Sequence, residues 1–136
     1  MSNQQSDQTP IAMALQEYKE GVHQFSKKMP HIAKKHQAFT EACFEEGKLT
    51  KREKQLIALA VSVIAQDEYC MIYHTKMCLD EGCEEEEVLE AVAVSAAFGG
   101  GAVMSQAVTL VLESLSEFEQ KQKPKSKKDK NSQDEN

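Results

Sequence analysis

Tryptophan is absent from the 136 residues, and the aromatic complement is five Phe and three Tyr. Base-stacking platforms of the kind that hold single-stranded nucleic acid are therefore not expected. Proline is also scarce, at three residues, and the chain is 40% apolar, which excludes a collagen-like or wholly disordered polymer. Strand-like alternation is nearly missing. An export signal is missing as well: the first residues, MSNQQSDQTP, are polar and have no apolar core. One uncharged run, Ala91 to Leu112, has the length of a membrane span. Gly99-Gly100-Gly101 interrupts it, and Ser95, Ser105, Gln106 and Thr109 lie along it. Two helices joined at the glycines are expected there, and no membrane segment.

The length suits one domain with tails. The expected division is a disordered N-terminus at 1–10, a helical domain at 11–119 and a disordered Lys-rich tail at 120–136. The formal charge is −6, but the tail QKQKPKSKKDKNSQDEN carries six Lys against three acids, so the body before it stands at −9. An acidic body repels phosphate, which argues against a nucleic-acid partner. The four cysteines, with no export signal, point to a reducing cytoplasm. There they are free thiols or a redox site, not a disulfide framework.

What the sequence has in quantity is helical periodicity. Ile11, Leu15, Tyr18, Val22, Phe25 and Met29 recur at spacings of three and four, one apolar face of a helix that Pro30 ends. Ile32, His36, Phe39 and Cys43 continue the spacing on a second helix, with Gly47 as its expected left-handed cap. Thr50-Lys51-Arg52-Glu53 reads as a capping box opening a third helix. That helix, through LIALAVSVIA (56–65), carries no charge on any face and should be buried on more than one side. Asp67 is placed to cap a fourth helix that Gly82 stops. Glu84 to Glu87 supply carboxylates at the positive end of a fifth, and a sixth follows the glycines. The fold class is all-α, with about six helices. So much apolar helix surface on a small domain needs a cover, and a homo-oligomer is expected to supply it.

Cys70 and His74 are four apart on the fourth helix, so their side chains share a face. Cys70 falls near the amides of the first turn, which favour a thiolate. An imidazole beside it can act as base. Asp67 and Glu68 oppose this, because carboxylates near a thiol raise its pKa, as does an apolar pocket. The bland alternative is a buried thiol with a chance neighbour. Cys78 extends the stripe, yet three ligands on one helix make an awkward metal site, and no metal or cofactor is expected. Cys43 reads as core and Cys83 as incidental. His23, His31 and His36 have no spacing that marks a site.

These residues resemble a family. The stretch from Leu49 to about Ala107 is similar to the core of the carboxymuconolactone decarboxylase and AhpD-like family. It carries the capped apolar helix, Cys70–x–x–x–His74, the Gly82–acidic junction and the apolar helix running into Gly99-Gly100. The resemblance implies an all-helical fold that forms homotrimers or homohexamers, with a pocket between neighbouring helices. AhpD-type members are peroxidases and disulfide reductases. Their pattern is Glu–x11–Cys–x2–Cys–x3–His, in which the second cysteine attacks and the first resolves it. Here Cys70 and His74 match the attacking thiol and the histidine. The resolving position holds Asp67 and the glutamate position holds Gln55. Aspartate cannot form a disulfide, and glutamine can orient a group but cannot relay a proton near neutral pH.

The expected function is a thiol-dependent antioxidant oxidoreductase that uses Cys70 with His74, with Gln55, Asp67 and Tyr69 as polar support. Its substrate would be a small peroxide or disulfide, and an external thiol would resolve it. The alternatives are a decarboxylase-like lyase using the same pocket and a non-catalytic oligomer.

Overall fold

The structure, a computed structural model, describes residues 8–123. Its helices are α1 (Pro10–Lys28), α2 (Pro30–Phe44), α3 (Lys51–Ile64), α4 (Glu68–Asp80), α5 (Glu85–Gly99), α6 (Gly101–Gln106) and α7 (Leu112–Gln122). A π-helical segment, Ala107–Val111, joins α6 to α7. If those last three segments are taken as one rod, the expected six helices are present, with no strand among the described residues. Most of both proposed tails lies outside those residues. Pro10 begins α1, and α7 runs to Gln122.

Local chemistry explains the boundaries. Thr9 Oγ1 accepts from the Ala12 amide (3.2 Å), and Pro10 takes the first helical position, where its missing N–H costs nothing. Met29 ends α1, and Pro30 begins α2 directly. Thr50 Oγ1 accepts from the Glu53 amide at 3.1 Å, the forward half of the expected box. The return type of bond is found on α5, where the Glu84 amide donates to Glu87 Oε2 at 2.8 Å. Gly100 adopts φ 59°, a conformation that favours glycine, and turns the chain between α5 and α6. At Gly99 a Cβ would lie 2.2 Å from Val103 Cγ2, so the turn also needs the missing side chain. The uncharged run is thus two helices, and no described helix is long and apolar enough to cross a membrane.

The core is built on α3, which packs against both α4 and α5, with the rod from Gly101 to Gln122 closing over α4. Leu59, Val63, Met71, Val88, Val92, Val111 and Leu115 are buried in it. Each contributes about 1.5–3 kcal/mol through burial. Ile11 and Leu15 join this core from the first half of α1.

Two expectations are corrected. The α1 stripe is not buried throughout: Val22, Phe25 and Met29 are about half exposed, and α2 has no buried residue. The second half of α1 and all of α2 form a hairpin whose apolar side has no cover among the described residues. Gly47 is not a left-handed cap, because positive φ among described glycines occurs only at Gly82 and Gly100. Instead Lys54 Nζ donates to the carbonyls of Cys43 (3.0 Å) and Glu45 at the end of α2. Packed against α4 and α5, α3 is covered on more than one side, as expected, but not all round. Leu59 and Val63 enter the core, whereas Ile57, Val61 and Ile64 are largely exposed. The charge-free face belongs in part to a cleft.

Candidate functional site

The site begins at the break between α3 and α4. Ala65 ends α3, and Gln66 adopts φ 57°, a left-handed conformation rare outside glycine. Its Nε2 donates to the carbonyls of Val63 (2.9 Å) and Ala102 (3.3 Å), which holds the residue there. The turn is so short that Asp67 follows at once, its amide bonded to the Ser62 carbonyl at 3.1 Å. Asp67 is the N-cap of α4, as its position predicts, and its Oδ1 accepts from the Cys70 amide at 3.1 Å. Cys70 therefore sits in the first turn of the helix, with an aspartate beside it.

Burial and that neighbour together set the state of the sulfur. Cys70 is partly buried, and burial, a hydrogen bond from the thiol to the Asp67 carboxylate and the negative charge of Asp67 push its pKa up to about 11. The opposing influences recognised in the sequence resolve toward the thiol. First-turn amides do not prevail, because the Cys70 amide is already donating to Asp67. At pH 7 only about one sulfur in ten thousand would be ionised.

His74 lies one turn on, and its Nδ1 is 2.8 Å from Gln55 Oε1. A carboxamide oxygen only accepts, so Nδ1 carries the proton and Nε2 keeps its lone pair. Gln55 is 7% exposed on α3 and fixes the ring. Phe44 stacks on the imidazole with centroids 5.8 Å apart, and Tyr73 meets it edge-on at 5.1 Å. Burial lowers the His74 pKa, with Asp67 acting weakly in the other direction, so the ring is neutral at neutral pH.

Cys70, His74 and Asp67 line one cleft of about 540 Å³. Its walls are mainly apolar, drawn from Phe44, Leu49 and the α3 residues Ile57, Ala58 and Val61. Thus the structure brings Cys70, His74, Asp67 and, behind the ring, Gln55 together. Tyr69 does not join them. Its hydroxyl donates to Glu17 Oε2 on α1 (2.9 Å), and its ring lies 6.2 Å from Tyr18 across a different cleft, between α1 and α2.

The cleft residues absent from the expected set include Cys43, Phe44 and Lys54. Cys43 is exposed on the cleft wall and is not core. No spacing marks these residues, because the Lys54 bonds that draw the end of α2 over α3 are tertiary. Cys78 turns the other way, into the core, and sits beside Cys83.

The sequence model of the carboxymuconolactone decarboxylase family matches residues 30–113, more than half of the chain. A solved family protein from Legionella pneumophila superposes with a TM-score of 0.76 at 27% identity, covering 79% of this chain and 96% of that one. A family protein from Thermotoga maritima, for which a role in the antioxidative response is suggested, gives a TM-score of 0.67 at 26% identity over 79% of this chain and 93% of its own. Among curated sequences, the uncharacterized protein 4 in the cox locus of Paracoccus denitrificans is 39% identical over 70 residues, 52% of this chain. The match spans 63% of that relative's length.

Proposed function

Because the chain belongs to the carboxymuconolactone decarboxylase family, we propose that it is a thiol-dependent oxidoreductase in which Cys70 reduces a small peroxide or disulfide. One observation carries this reading. The cleft holds a thiol and a neutral imidazole whose free nitrogen is fixed by a buried glutamine. The relative with a suggested antioxidative role supports the same direction.

With a hydroperoxide, the Cys70 sulfur attacks the outer oxygen and the O–O bond breaks. The thiol proton passes to His74 Nε2 and on to the leaving oxygen, giving a sulfenic acid and an alcohol. No hydrogen bond joins Cys70 to His74 directly, so a water or the substrate bridges them. Asp67 cannot resolve the sulfenic acid. Two external thiols complete the cycle: the first forms a mixed disulfide with loss of water, and the second releases Cys70 and leaves as a disulfide. The uncovered apolar sides of α1, α2 and α5, where Phe98 is 86% exposed, support a homo-oligomer around this site.

A second reading, a family member without catalysis, draws on the high pKa of the resting thiol. The lyase reading has less footing. Lys54 is the one cation on the described cleft wall, and its ammonium is turned to main-chain carbonyls. Steady-state peroxide consumption with dithiothreitol as reductant separates the first two readings. Cys70→Ser is expected to fall to the uncatalysed rate. Full turnover in that variant overturns the proposal, and no turnover in the unmodified protein favours the second reading.

A further inference from the structure

At the far end of α4 a second pair of thiols is closed in by the way the helix stops. Asp80 ends the helix, Glu81 caps it, and Gly82 follows in the left-handed region at φ 83°. The Gly82 amide donates to the Leu79 carbonyl at 3.0 Å, and the Cys83 amide donates to the Cys78 carbonyl at 2.9 Å. These two bonds are the Schellman arrangement, which brings the side chain beyond the glycine back onto the last full turn. The side chains so brought together are Cys78, 0% exposed, and Cys83, 5% exposed. With the carbonyl oxygen and amide nitrogen 2.9 Å apart, standard bond lengths keep the two Cα atoms within about 7 Å. That is the separation a disulfide spans.

The surroundings distinguish the two sulfurs. Arg52, at the start of α3, reaches Cys83 and also pairs with Glu87 in the first turn of α5. Burial pushes the Cys83 thiol up and the Arg52 guanidinium offsets part of that rise, whereas Cys78, enclosed by core, is pushed up to about 12. Neither residue lines the Cys70 cleft.

We propose that Cys78 and Cys83 form a second redox site, separate from Cys70, which hydrogen peroxide converts to an intramolecular disulfide across the end of α4. Hydrogen peroxide is small enough to reach a thiol at the edge of a core. The Cys83 sulfur attacks one peroxide oxygen as its own proton leaves, the O–O bond breaks, and the departing oxygen takes up that proton and leaves as water, which gives a sulfenic acid at Cys83. The Cys78 sulfur then displaces that hydroxyl as a second water, and the S–S bond closes. In balance, two thiols and one hydrogen peroxide give one disulfide and two waters. The bond would fasten α4 to the segment that begins α5.

The test uses the full chain with Cys70→Ser, so that the first site cannot contribute. The folded protein is exposed to hydrogen peroxide, its remaining thiols are blocked, and it is cut after Glu81. That cut separates Cys78 from Cys83. The expected result is a pair of peptides held together, two hydrogens lighter than their sum, and released by a thiol reductant. Adding Cys83→Ser should abolish the joined pair and leave Cys78 as a free thiol. Cys78 and Cys83 both recovered as free thiols would overturn the proposal. Sulfinic acid at Cys83 with no bridge would overturn it too. Neither outcome bears on Cys70, whose role is read by turnover in the protein with that cysteine intact.

Discussion

The two ends of α4 hold thiols in opposite circumstances. At the N-terminal end, Cys70 opens onto a cleft, and the nearest charge is the Asp67 carboxylate. At the C-terminal end, Cys78 and Cys83 are shut into the core, and the nearest charge is the Arg52 guanidinium. Access is thus divided: the sulfur that opens onto the cleft and the sulfurs shut into the core are all held as thiols, chiefly by burial. Neither end is an ionised, open thiol at rest. Under the proposed function, activation of Cys70 would be a property of the occupied cleft, where a bound substrate would replace water and bring His74 into the proton path.

The sharpest way to break the contrast is to remove the charge of Asp67. Asn is as good an N-cap as Asp, so Asp67→Asn keeps the helix start while deleting the carboxylate. The Cys70 pKa should fall, and alkylation of native protein at pH 7 should quicken by about tenfold for each pH unit the thiol descends. Unchanged labelling would show that burial alone sets the thiol. In the unmodified protein the same labelling should climb about tenfold per pH unit from pH 7 toward about 11, the Cys70 pKa. A plateau near pH 8 would contradict the assigned environment.

At the other end, Gly82→Ala forces a side chain into the left-handed region, where φ is 83°. The cost is about 1–2 kcal/mol, or roughly 4–8 °C in Tm for a domain of this size. Thermal unfolding followed by circular dichroism checks it, and an unchanged Tm would mean that the cap does not hold the cysteine pair in register.

A smaller effect concerns His74. Its folded pKa lies below the unfolded value near 6.5, so the unfolded chain binds the proton more readily. Stability should therefore be fully present above pH 6.5 and decline as pH falls through that value toward the folded pKa. His74→Gln should flatten the Tm profile between pH 7.5 and pH 5. An equally steep decline in the variant would assign the acid sensitivity to other groups.

The contrast also shows what the residue order made legible. Helix starts at Thr50 and Asp67, the glycine break at Gly100 and the shared face of Cys70 and His74 rest on local rules, and the structure has each of them. Periodicity identifies an apolar face but not what covers it. The α1 residues read as one apolar face are exposed in their second half, part of α3 faces outward, and Cys43, read as core, is exposed. Tyr69 adjoins Cys70 in sequence but leaves the helix in another direction, toward Glu17. The balance at Cys70 depended on whether its amide was spent on Asp67, a question of distances that spacing does not answer.

The central claim is that Cys70 is the sulfur that meets substrate. Treating native protein with less than one equivalent of an organic hydroperoxide, in the presence of a sulfenic-acid trap, tests it directly. Peptide mass spectrometry should find the trap on Cys70 before any other cysteine. Trapping first at Cys43, which is exposed on the same cleft wall, or at Cys83 would contradict the account.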